Sequence, residues 1–501
     1  MGRRGALAVL AGLVGLAMVA ALQAQVQAET ASTSRSAARP QTAGRFLVDS
    51  QGRALITAGV NMVYKLAPYR PDAAGFGADD AAFLQRNGFT AVRLGLIWKA
   101  VEPRPGEYDD DYLAHIRATV RTLARHGIRS LLDFHQDLYN ERFQGEGAPD
   151  WAVIDQGVPN QPQAGFPANY FLNPAMNRAY DHFWNNAAAP DGVGLVDHYA
   201  AAWRHVVAFM ATTPGLLGID VFNEPWPGTA YATCIPLGCR SLDAKVQRMS
   251  QKVIDAVHTV QPRLPVFYEP TLLFNSGVST FVRPTGADLG FSFHDYCVSH
   301  SLKVQRTDLT GAACNVLNNR VWNGMERQLQ LTGATPLLTE FGATTDQTVL
   351  ADMVNRAATH RVGWTYWAYC GCGDPTTSGP GAEQALVLDP AEPPSGANVE
   401  TDKLRALAVP HPVAVAGTPT AYSFDRTSSV FSATWSTRRA LGNGRFSAGA
   451  RSTIATPVIE YPRGYTARVV GGSVVSAPNA PRLAVSQSPG AATVTVTVSP
   501  R

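Results

Sequence analysis

The feature that most restricts the fold of this chain is an alternation, from about residue 45 to 410, of short apolar runs with longer helical stretches. The runs are rich in β-branched and aromatic residues, and the pattern is typical of repeated βα units around a parallel sheet. Eight runs are present, at residues 55–61, 91–98, 129–137, 217–224, 265–269, 289–296, 336–341 and 363–369. Eight such units predict an α/β protein with a (β/α)8 TIM barrel. The alternative is a doubly wound open sheet. It is disfavoured because this sequence has no glycine-rich phosphate loop after the first run.

The helical pattern stops near residue 408, and the composition of residues 409–419 is typical of a linker. Beyond it, short Ser/Thr/Val-rich runs are separated by turn residues, a pattern that predicts a small antiparallel β-sandwich. We therefore expect a (β/α)8 barrel at 45–410 and a C-terminal β-sandwich at 415–501. The second domain is either a structural cover for the barrel, which we favour because it lacks clustered aromatics, or a module that binds glycans or membranes.

The first residues have the pattern of a secretory signal. Arg3 and Arg4 precede an apolar run at 6–22, and small residues around Ala28 offer a cleavage site. A transmembrane anchor is the alternative, but the run is short for a span and only weakly apolar. We predict a signal peptide at 1–28, a disordered linker at 29–44, and a secreted enzyme with no membrane anchor after cleavage.

Charge and cysteine content exclude some classes of function. Removal of residues 1–28 takes away two arginines and no acid, so the net charge falls from +3 to +1, which indicates no nucleic-acid partner. The six cysteines of an exported chain favour disulfides over a metal site. Spacing favours the pairs Cys234–Cys239 and Cys297–Cys314. Cys370 and Cys372 are expected to be too close for an unstrained bridge.

Two glutamates have positions suited to the cleavage of a glycosidic bond. Glu224, in the motif VFNEPWPG, ends the fourth run, and Glu340, in LLTEFGA, ends the seventh. Barrel enzymes place their active sites at the carboxyl ends of the strands, and acetal hydrolysis needs one protonated and one ionised carboxyl group. Each glutamate alone is more often a surface carboxylate, but together they favour a catalytic pair. Glu269, which ends the fifth run, is a rival acid.

Three residues at other strand ends are candidates to support this pair. Arg93 is placed to keep the nucleophile ionised by charge and hydrogen bonding. His294 and Tyr296, in SFHDYC, are placed to orient it. The competing interpretations are a structural ion pair for Arg93 and core packing for His294 and Tyr296.

Other polar and aromatic residues at the strand ends are candidates to bind sugar. His135 and Asp137 can bind hydroxyl groups, or they anchor a loop. Asn223 can donate to the sugar 2-hydroxyl. Trp367 offers a flat face for a pyranose ring or packs in the core, and Lys65, after the first run, is the weakest candidate.

These motifs resemble glycoside hydrolase family 5 of clan A. The resemblance to the clan rests on four features: NEP on the fourth strand, His-x-Tyr on the sixth, Glu on the seventh and Trp on the eighth. The longer strings LDFHQDLYNERFQGEGAPDW, VFNEPWPG, SFHDYC and LLTEFGAT are similar to those of bacterial endoglycoceramidases. The resemblance covers most of the chain and includes the C-terminal β-sandwich.

The resemblance implies hydrolysis, with retention, of the β-linkage between an oligosaccharide and ceramide in glycosphingolipids. It implies Glu224 as acid/base and Glu340 as nucleophile, with carboxyl groups about 5–5.5 Å apart. It also places a group of residues around the sugar next to the scissile bond, namely Lys65, His135, Asp137, Asn223, Tyr296 and Trp367. It implies no metal and no organic cofactor. We expect a monomer that acts on substrate presented in membranes or micelles.

Two other functions are compatible with the same motifs. One is an endo-β-glucanase or mannanase of the same clan, and the other is an inactive barrel that binds glycans or lipids. An apolar wall would favour the ceramide enzyme. The long segment 138–197, after the third run, supplies aromatic residues for it: Phe166, Tyr170, Phe171 and Trp184.

Overall fold

The computed structural model describes residues 39–234, 238–296, 308–377 and 381–501, with the side chains of 308–313 left out. The predicted signal peptide and the first part of the predicted linker lie outside these residues. Among the described helices, none is long and apolar enough to cross a membrane.

Eight parallel strands close into a barrel, which confirms the predicted fold. Three strands precede it in the chain, namely β1 (Gln41–Ala43), β2 (Phe46–Val48) and β3 (Ala54–Leu55). The barrel strands are β4 (Ala58–Met62), β5 (Ala91–Leu96), β6 (Arg129–Phe134), β7 (Leu216–Asp220), β8 (Val266–Tyr268), β9 (Leu289–Asp295), β10 (Thr335–Phe341) and β11 (Gly363–Tyr366). Pairing of Trp364 with Ala58 joins β11 to β4 and completes the barrel.

Helices surround the barrel, and their apolar faces pack on its strands. In Asp110–Arg125, the apolar residues recur at helical spacing and are buried, while Asp109 caps the first turn by accepting from the backbone N–H of Tyr112 at 2.8 Å. The described α-helices are Ala78–Arg86, Trp98–Val101, Asp110–Arg125, Ala168–Leu172, Pro174–Trp184, Leu195–Phe209, Tyr231–Cys234, Arg240–His258, Asp308–Thr332, Gln347–His360, Gly381–Gln384 and Thr401–Leu407.

Two antiparallel sheets form the C-terminal part of the molecule, as predicted. Its strands are β12 (His411–Val415), β13 (Thr418–Asp425), β14 (Val430–Ser436), β15 (Arg451–Ala455), β16 (Tyr465–Val470), β17 (Gly472–Val474), β18 (Arg482–Gln487) and β19 (Thr493–Pro500). Along β14, buried and partly exposed residues alternate, which places Phe431, Ala433 and Trp435 in the core between the sheets.

The N-terminal strands belong to the C-terminal sheet, which the sequence did not predict. The seven-stranded sheet has the order β1-β2-β3-β12-β15-β18-β17. Strand β1 therefore lies inside the predicted linker 29–44, and β12 lies inside the predicted linker 409–419, so both linker predictions were wrong at these residues. The reason is that a short edge strand such as β1 carries little local pattern, whereas β12 lies inside the sheet and pairs with β3, more than 350 residues earlier in the chain.

An apolar cluster closes the end of the barrel from which the strands start. It joins side chains of the barrel strands β6, β7, β8 and β10 to side chains of β2, β3 and β12. Its members are Leu47, Leu55, Leu131, Leu217, Phe267, Leu337 and Ala414. The opposite end, where the strands finish, is left for polar groups.

The disulfides agree only in part with the sequence prediction. Cys234 and Cys239 are bridged, as predicted. Cys314 is disulfide-bonded, but Cys297 lies outside the described residues. Cys370 and Cys372 are also bridged, so the argument against that pair was wrong. Their Cα atoms lie 5.2 Å apart, within the usual range for a disulfide, because the backbone around Gly371 is turned rather than extended.

Candidate active site

The predicted site residues lie together at the carboxyl end of the barrel. Glu340 lies within β10, one residue before its end, whereas Glu224 lies four residues beyond β7. Several predicted runs extend past the observed strands, because the catalytic loops continue with buried residues that are similar in composition to the strands themselves. The strand boundaries were therefore predicted too late in the chain at several of these ends.

Arg93 is the fully buried centre of the site. Its Nη1 donates to Glu340 Oε1 at 2.6 Å, and its Nε donates to Asp220 Oδ2 at 2.9 Å. Burial alone would lower the pKa of Arg93, but the surrounding carboxylates raise it well above its ordinary value. Its remaining polar partners are Asn61, Asp133, Asn223 and Glu269. One fixed cation thus orients acids from several strands.

Glu340 is held by donors on both of its oxygens. Oε1 accepts from Arg93, and Oε2 accepts from the hydroxyl of Tyr296 at 2.9 Å. Nδ1 of His294 lies 3.5 Å from the same Oε2. Burial and the nearby carboxylates raise the pKa of Tyr296 well above its ordinary value, so this hydroxyl remains a donor. The arrangement favours an ionised carboxylate of fixed orientation, as a nucleophile requires.

Glu224 has a different environment. Its φ of 47° lies in the left-handed region, and its backbone N–H donates to Glu269 Oε2 at 2.8 Å. Its Oε1 accepts from Asn275 Nδ2 at 2.7 Å and lies 2.8 Å from His294 Nδ1. Burial, with the charge of Glu340 acting in the same direction, raises the pKa of Glu224 above its ordinary value. A carboxyl group with a raised pKa is suited to act as a general acid.

Glu269, the rival acid, acts on the backbone rather than facing Glu340. Its Oε1 accepts from Arg93 at 3.1 Å, while its Oε2 holds the N–H of Glu224. Burial opposes ionisation, but the nearby His294 and Arg93 lower the pKa of Glu269 below its ordinary value. This carboxylate therefore stabilises the left-handed backbone on which Glu224 depends.

The two candidate catalytic carboxyls are close to one another. One oxygen of Glu224 and one of Glu340 lie within 4.8 Å of each other. A ring nitrogen of His294 also lies within 4.8 Å of each of these oxygens. An oxygen pair within this limit is compatible with the carboxyl separation of about 5–5.5 Å in glycosidases that form a covalent intermediate.

Lys65 and Asp137 form a buried polar pocket beside this pair. Lys65 Nζ donates to Asp137 Oδ2 and to Thr376 Oγ1, both at 2.7 Å, and lies 3.2 Å from Asp374 Oδ1. The Lys65 cation lowers the pKa of Asp137, although burial opposes this. Charged donors and acceptors fixed in this way are suited to bind sugar hydroxyls.

His135 and Trp367 form a stacked wall of the same pocket. Their ring centroids are 5.1 Å apart with an angle of 14° between the planes, and Lys65 Nζ lies 4.6 Å from the Trp367 ring centroid. Burial opposes protonation of His135, but Asp133, 2.7 Å from its Nδ1, raises the pKa of His135 to about 9. His135 is therefore protonated at neutral pH and can donate from Nε2.

Asn223 follows the fourth barrel strand, and its side chain is held by hydrogen bonds to residues of the second strand and of the loop after the third. Its Oδ1 accepts from Arg93 at 3.0 Å, and its Nδ2 donates to the carbonyl of Gln136 at 3.1 Å. The second hydrogen on Nδ2 remains for a ligand, in keeping with the predicted contact to a sugar hydroxyl.

The four aromatic residues predicted from segment 138–197 differ in exposure, and Phe166 is partly buried against the core. Tyr170 and Trp184 are buried, so for them the interpretation as packing residues is correct. Phe171 and its neighbour Leu172 are 45% and 53% exposed. The Phe171 ring lies 5.3 Å from that of Trp226, two residues after Glu224. These two exposed apolar side chains therefore lie on the segment that packs against Trp226.

Several site residues were missed in the sequence. Asp374 and Thr376 follow the eighth strand, so the rule that strand ends carry chemistry would have found them. Glu146 lies across from Asp137 in an isolated β-bridge, 3.7 Å from Lys65, and Asn275 lies in a short 3₁₀ helix after the fifth strand. No local signal marks these last two residues.

Two clusters in the described part of the chain have ligand atoms close enough for a metal ion. One contains Glu224, His294 and Glu340, and the other contains His135, Asp137 and Glu146. Arg93 or Lys65 already places a positive charge against each cluster, which disfavours a further cation. That the enzyme uses no metal or cofactor stays a prediction.

Two family models match this chain, one over the barrel and one over the C-terminal part. Residues 48–373 match the family Cellulase (glycosyl hydrolase family 5), and residues 410–498 match the glycoside hydrolase family 5 C-terminal domain. The chain belongs to glycoside hydrolase family 5. It is a hydrolase of glycosidic bonds, and the resemblance to endoglycoceramidases is confirmed.

Two relatives cover nearly the whole hydrolase. Endoglycoceramidase I of Rhodococcus hoagii (strain 103S) is 33% identical over 469 residues, 92% of this chain and 88% of the relative. The solved structure of endo-glycoceramidase II from Rhodococcus sp. has a TM-score of 0.75 and 28% identity, covering 91% of this chain and 99% of that one. That enzyme has also been solved as a ganglioside GM3 complex and as a lactosyl-enzyme intermediate.

Proposed function

We propose that this enzyme is a secreted endoglycosidase that hydrolyses, with retention, the β-glycosidic bond between oligosaccharide and ceramide in glycosphingolipids. The observation that carries the proposal is a close pair of carboxyls, Glu224 and Glu340, near which the structure places both a buried polar pocket and exposed apolar side chains. Endoglycoceramidase relatives along nearly the full chain support the same substrate class. The basic and apolar segment at 1–28 supports export.

The chemistry proceeds in two steps. Glu340 attacks the anomeric carbon while the bond to the ceramide oxygen breaks, and Glu224 gives its proton to that oxygen. Loss of the negative charge on Glu340 then favours ionisation of Glu224, which removes a proton from water as the water attacks the glycosyl ester. Two inversions at one carbon give overall retention, and the lactosyl-enzyme intermediate of the relative is consistent with this sequence.

The surroundings of the pair suit a substrate with two unlike halves. The pocket of Lys65, His135 and Asp137 binds the glycan, and Phe171 and Leu172 contact the ceramide. A cellulase-like enzyme would instead have aromatic platforms on both sides of the cleavage point. Burial of each CH₂ of a lipid chain contributes about 0.8 kcal/mol, so even partial contact with one chain outweighs a few sugar hydrogen bonds.

The substrate proposal predicts a strong dependence on the aglycone. With the same lactose headgroup, kcat/KM on a ceramide glycoside in detergent micelles should exceed that on a glycoside of a short polar alcohol by more than about 100-fold, given several buried CH₂ groups. Replacement of Phe171 and Leu172 together by serine should reduce this preference roughly tenfold.

Val458→Ser is the matched control, because Val458 is 52% exposed but lies in the C-terminal domain. Equal rates on the two aglycones, combined with cleavage of carboxymethyl-cellulose, would favour the endo-β-glucanase or mannanase alternative. Binding of both glycosides without turnover would favour the inactive barrel.

The raised pKa of Glu224 predicts the direction of the pH dependence. Glu224 must be protonated in the first step, so a raised pKa extends activity upward in pH, and kcat/KM falls as pH passes through that value. The nucleophile must be ionised in the same step, which limits activity on the acid side. We expect a bell-shaped profile on the acid side of neutrality when kcat/KM is measured from about pH 4 to 9. A rate that keeps rising into alkaline pH would contradict the assignment.

A further inference from the structure

Asn275 makes a direct contact with the candidate acid that no motif in the sequence indicates. It lies in the 3₁₀ helix Leu272–Ser276, after the fifth barrel strand, and is buried. Its Nδ2 donates to Glu224 Oε1 at 2.7 Å, shorter than the usual N–H···O distance of about 2.9–3.0 Å. Donation to a carboxyl at this distance fixes the orientation of the whole group.

The short helix is itself attached to the loop that carries Glu224. The backbone N–H of Leu272 donates to the carbonyl of Pro225 at 3.0 Å. Phe274 is buried and packs edge-on against Phe291, with ring centroids 5.6 Å apart. The short helix that carries Asn275 therefore contacts both the loop of the acid and the barrel wall.

The two oxygens of Glu224 differ in their partners. Oε1 receives Asn275 and lies 2.8 Å from Nδ1 of His294. Burial opposes protonation of His294, but the carboxylates of Glu340 and Glu269 raise its pKa well above the ordinary value. Nδ1 faces the oxygen of Glu224 and Nε2 lies 3.3 Å from Glu269 Oε1, so Nδ1 is placed as a donor to Oε1 of Glu224. An oxygen that already accepts two N–H donors is a poor place for an acidic proton. No residue in the described ranges donates to Oε2 through a hydrogen bond.

We propose that Asn275 is a positioning residue that, with His294, keeps the acidic proton of Glu224 on Oε2, the oxygen left free for the substrate. The inference rests on the proposed function. In the first step the Oε2–H bond breaks and the proton passes to the leaving oxygen. In the second step Oε2 takes a proton from the attacking water, while the two donors stabilise the charge on Oε1.

Loss of the amide should have a specific effect on proton transfer. A donor to the ionised form lowers the pKa of a carboxyl, so Asn275→Ala should move the alkaline limb of kcat/KM to higher pH. The other groups that act on Glu224 remain in the variant: His294 lowers its pKa, while Glu340 and Asp137 raise it. The carboxyl also becomes free to rotate, and protonation of Oε1 then competes with that of Oε2.

The test compares leaving groups that differ in their need for a proton. On a ceramide glycoside, Asn275→Ala should lower kcat by about 10- to 100-fold, as expected for loss of a hydrogen bond to a charged group. On a 2,4-dinitrophenyl glycoside of the same sugar, the burst of phenol in the first turnover should change by less than about threefold, since this leaving group departs without a proton.

Two further variants keep the test decisive if the alanine protein folds poorly. Asn275→Asp preserves shape but replaces the donor by an acceptor, and it should give a larger loss on the ceramide glycoside and a further upward shift of the alkaline limb. Phe274→Leu perturbs the same short helix without touching Glu224, and it should lower the melting temperature with the pH limb unchanged.

Equal losses on both leaving groups, with an unshifted alkaline limb, would overturn the inference and leave Asn275 a purely structural role. The wild-type enzyme reports separately on the proposed function. If it fails to cleave the ceramide glycoside but hydrolyses another β-alkyl glycoside, the substrate proposal is wrong, and the same comparison of leaving groups still tests Asn275 on that glycoside.

Discussion

Glu340→Gln is expected to lower turnover by roughly 10⁴-fold or more, equivalent to about 5 kcal/mol or more in the activation barrier. Glutamine has nearly the same shape and can accept from Arg93, but its amide cannot form the glycosyl ester. Glu224→Gln should also cause a loss of orders of magnitude on ceramide glycosides, because it removes the acidic proton. Turnover is measured by release of free glycan, and the melting temperature of each variant shows that the fold is kept.

The control for Glu340→Gln is Glu326→Gln, which alters a partly exposed acid paired with Arg45. It should leave turnover unchanged. A 2-fluoro glycoside with a good leaving group should label the wild-type protein at Glu340, as found by peptide mass mapping. Near-full activity of Glu340→Gln, or a label on Glu224, would show that the roles of the pair are wrongly assigned.

Arg93→Leu is expected to have the largest effect on stability, lowering the free energy of unfolding by about 3–5 kcal/mol. The guanidinium is fully buried, and its loss leaves neighbouring carboxyls without their common cation. These acids are Asp133, Asp220, Glu269 and Glu340. Urea unfolding followed by fluorescence measures the change.

Two observations make the interpretation of Arg93→Leu specific. Without the cation the remaining acids repel one another, and lowering the pH neutralises them, so the deficit of the variant should shrink as pH falls. Arg104→Leu breaks an exposed pair with Glu107 and should leave the unfolding curve unchanged. A variant as stable as the wild type would show that the acids in this cluster are already neutral without Arg93.

The sequence predicted the barrel because buried parallel strands and amphipathic helices each leave a local periodic pattern. It also predicted that the candidate residues lie together, since a barrel brings the ends of all eight strands to one face. Lys65, the weakest candidate, lies at the centre of a buried network with Asp137 and Asp374. A single lysine in a loop gives no sign of partners that are 72 and 309 residues away.

Other features could not be predicted from local sequence patterns, because they too depend on contacts between residues far apart in the chain. Glu146 and Asn275 act through contacts with Lys65 and Glu224, and only the closed barrel brings these residues together. The strand β12 was taken for a linker because HPVAV has no clear alternation, and its pairing with β3 depends on the complete fold. The bridge between Cys370 and Cys372 depended on a local turn that residue spacing does not reveal.

The shared sheet has a consequence for how this protein can be assembled and divided. Strand β3 pairs with β2 on one side and with β12 on the other, and the same three strands cover the closed end of the barrel. A fragment cut at residue 410 would therefore lose a neighbour of β3, expose an unpaired strand edge and uncover apolar side chains, a combination that promotes aggregation. During synthesis the cover over the base of the barrel is complete only after β12, residues 411–415, has emerged. We therefore expect the two parts to fold together, unlike a barrel with an appended binding module.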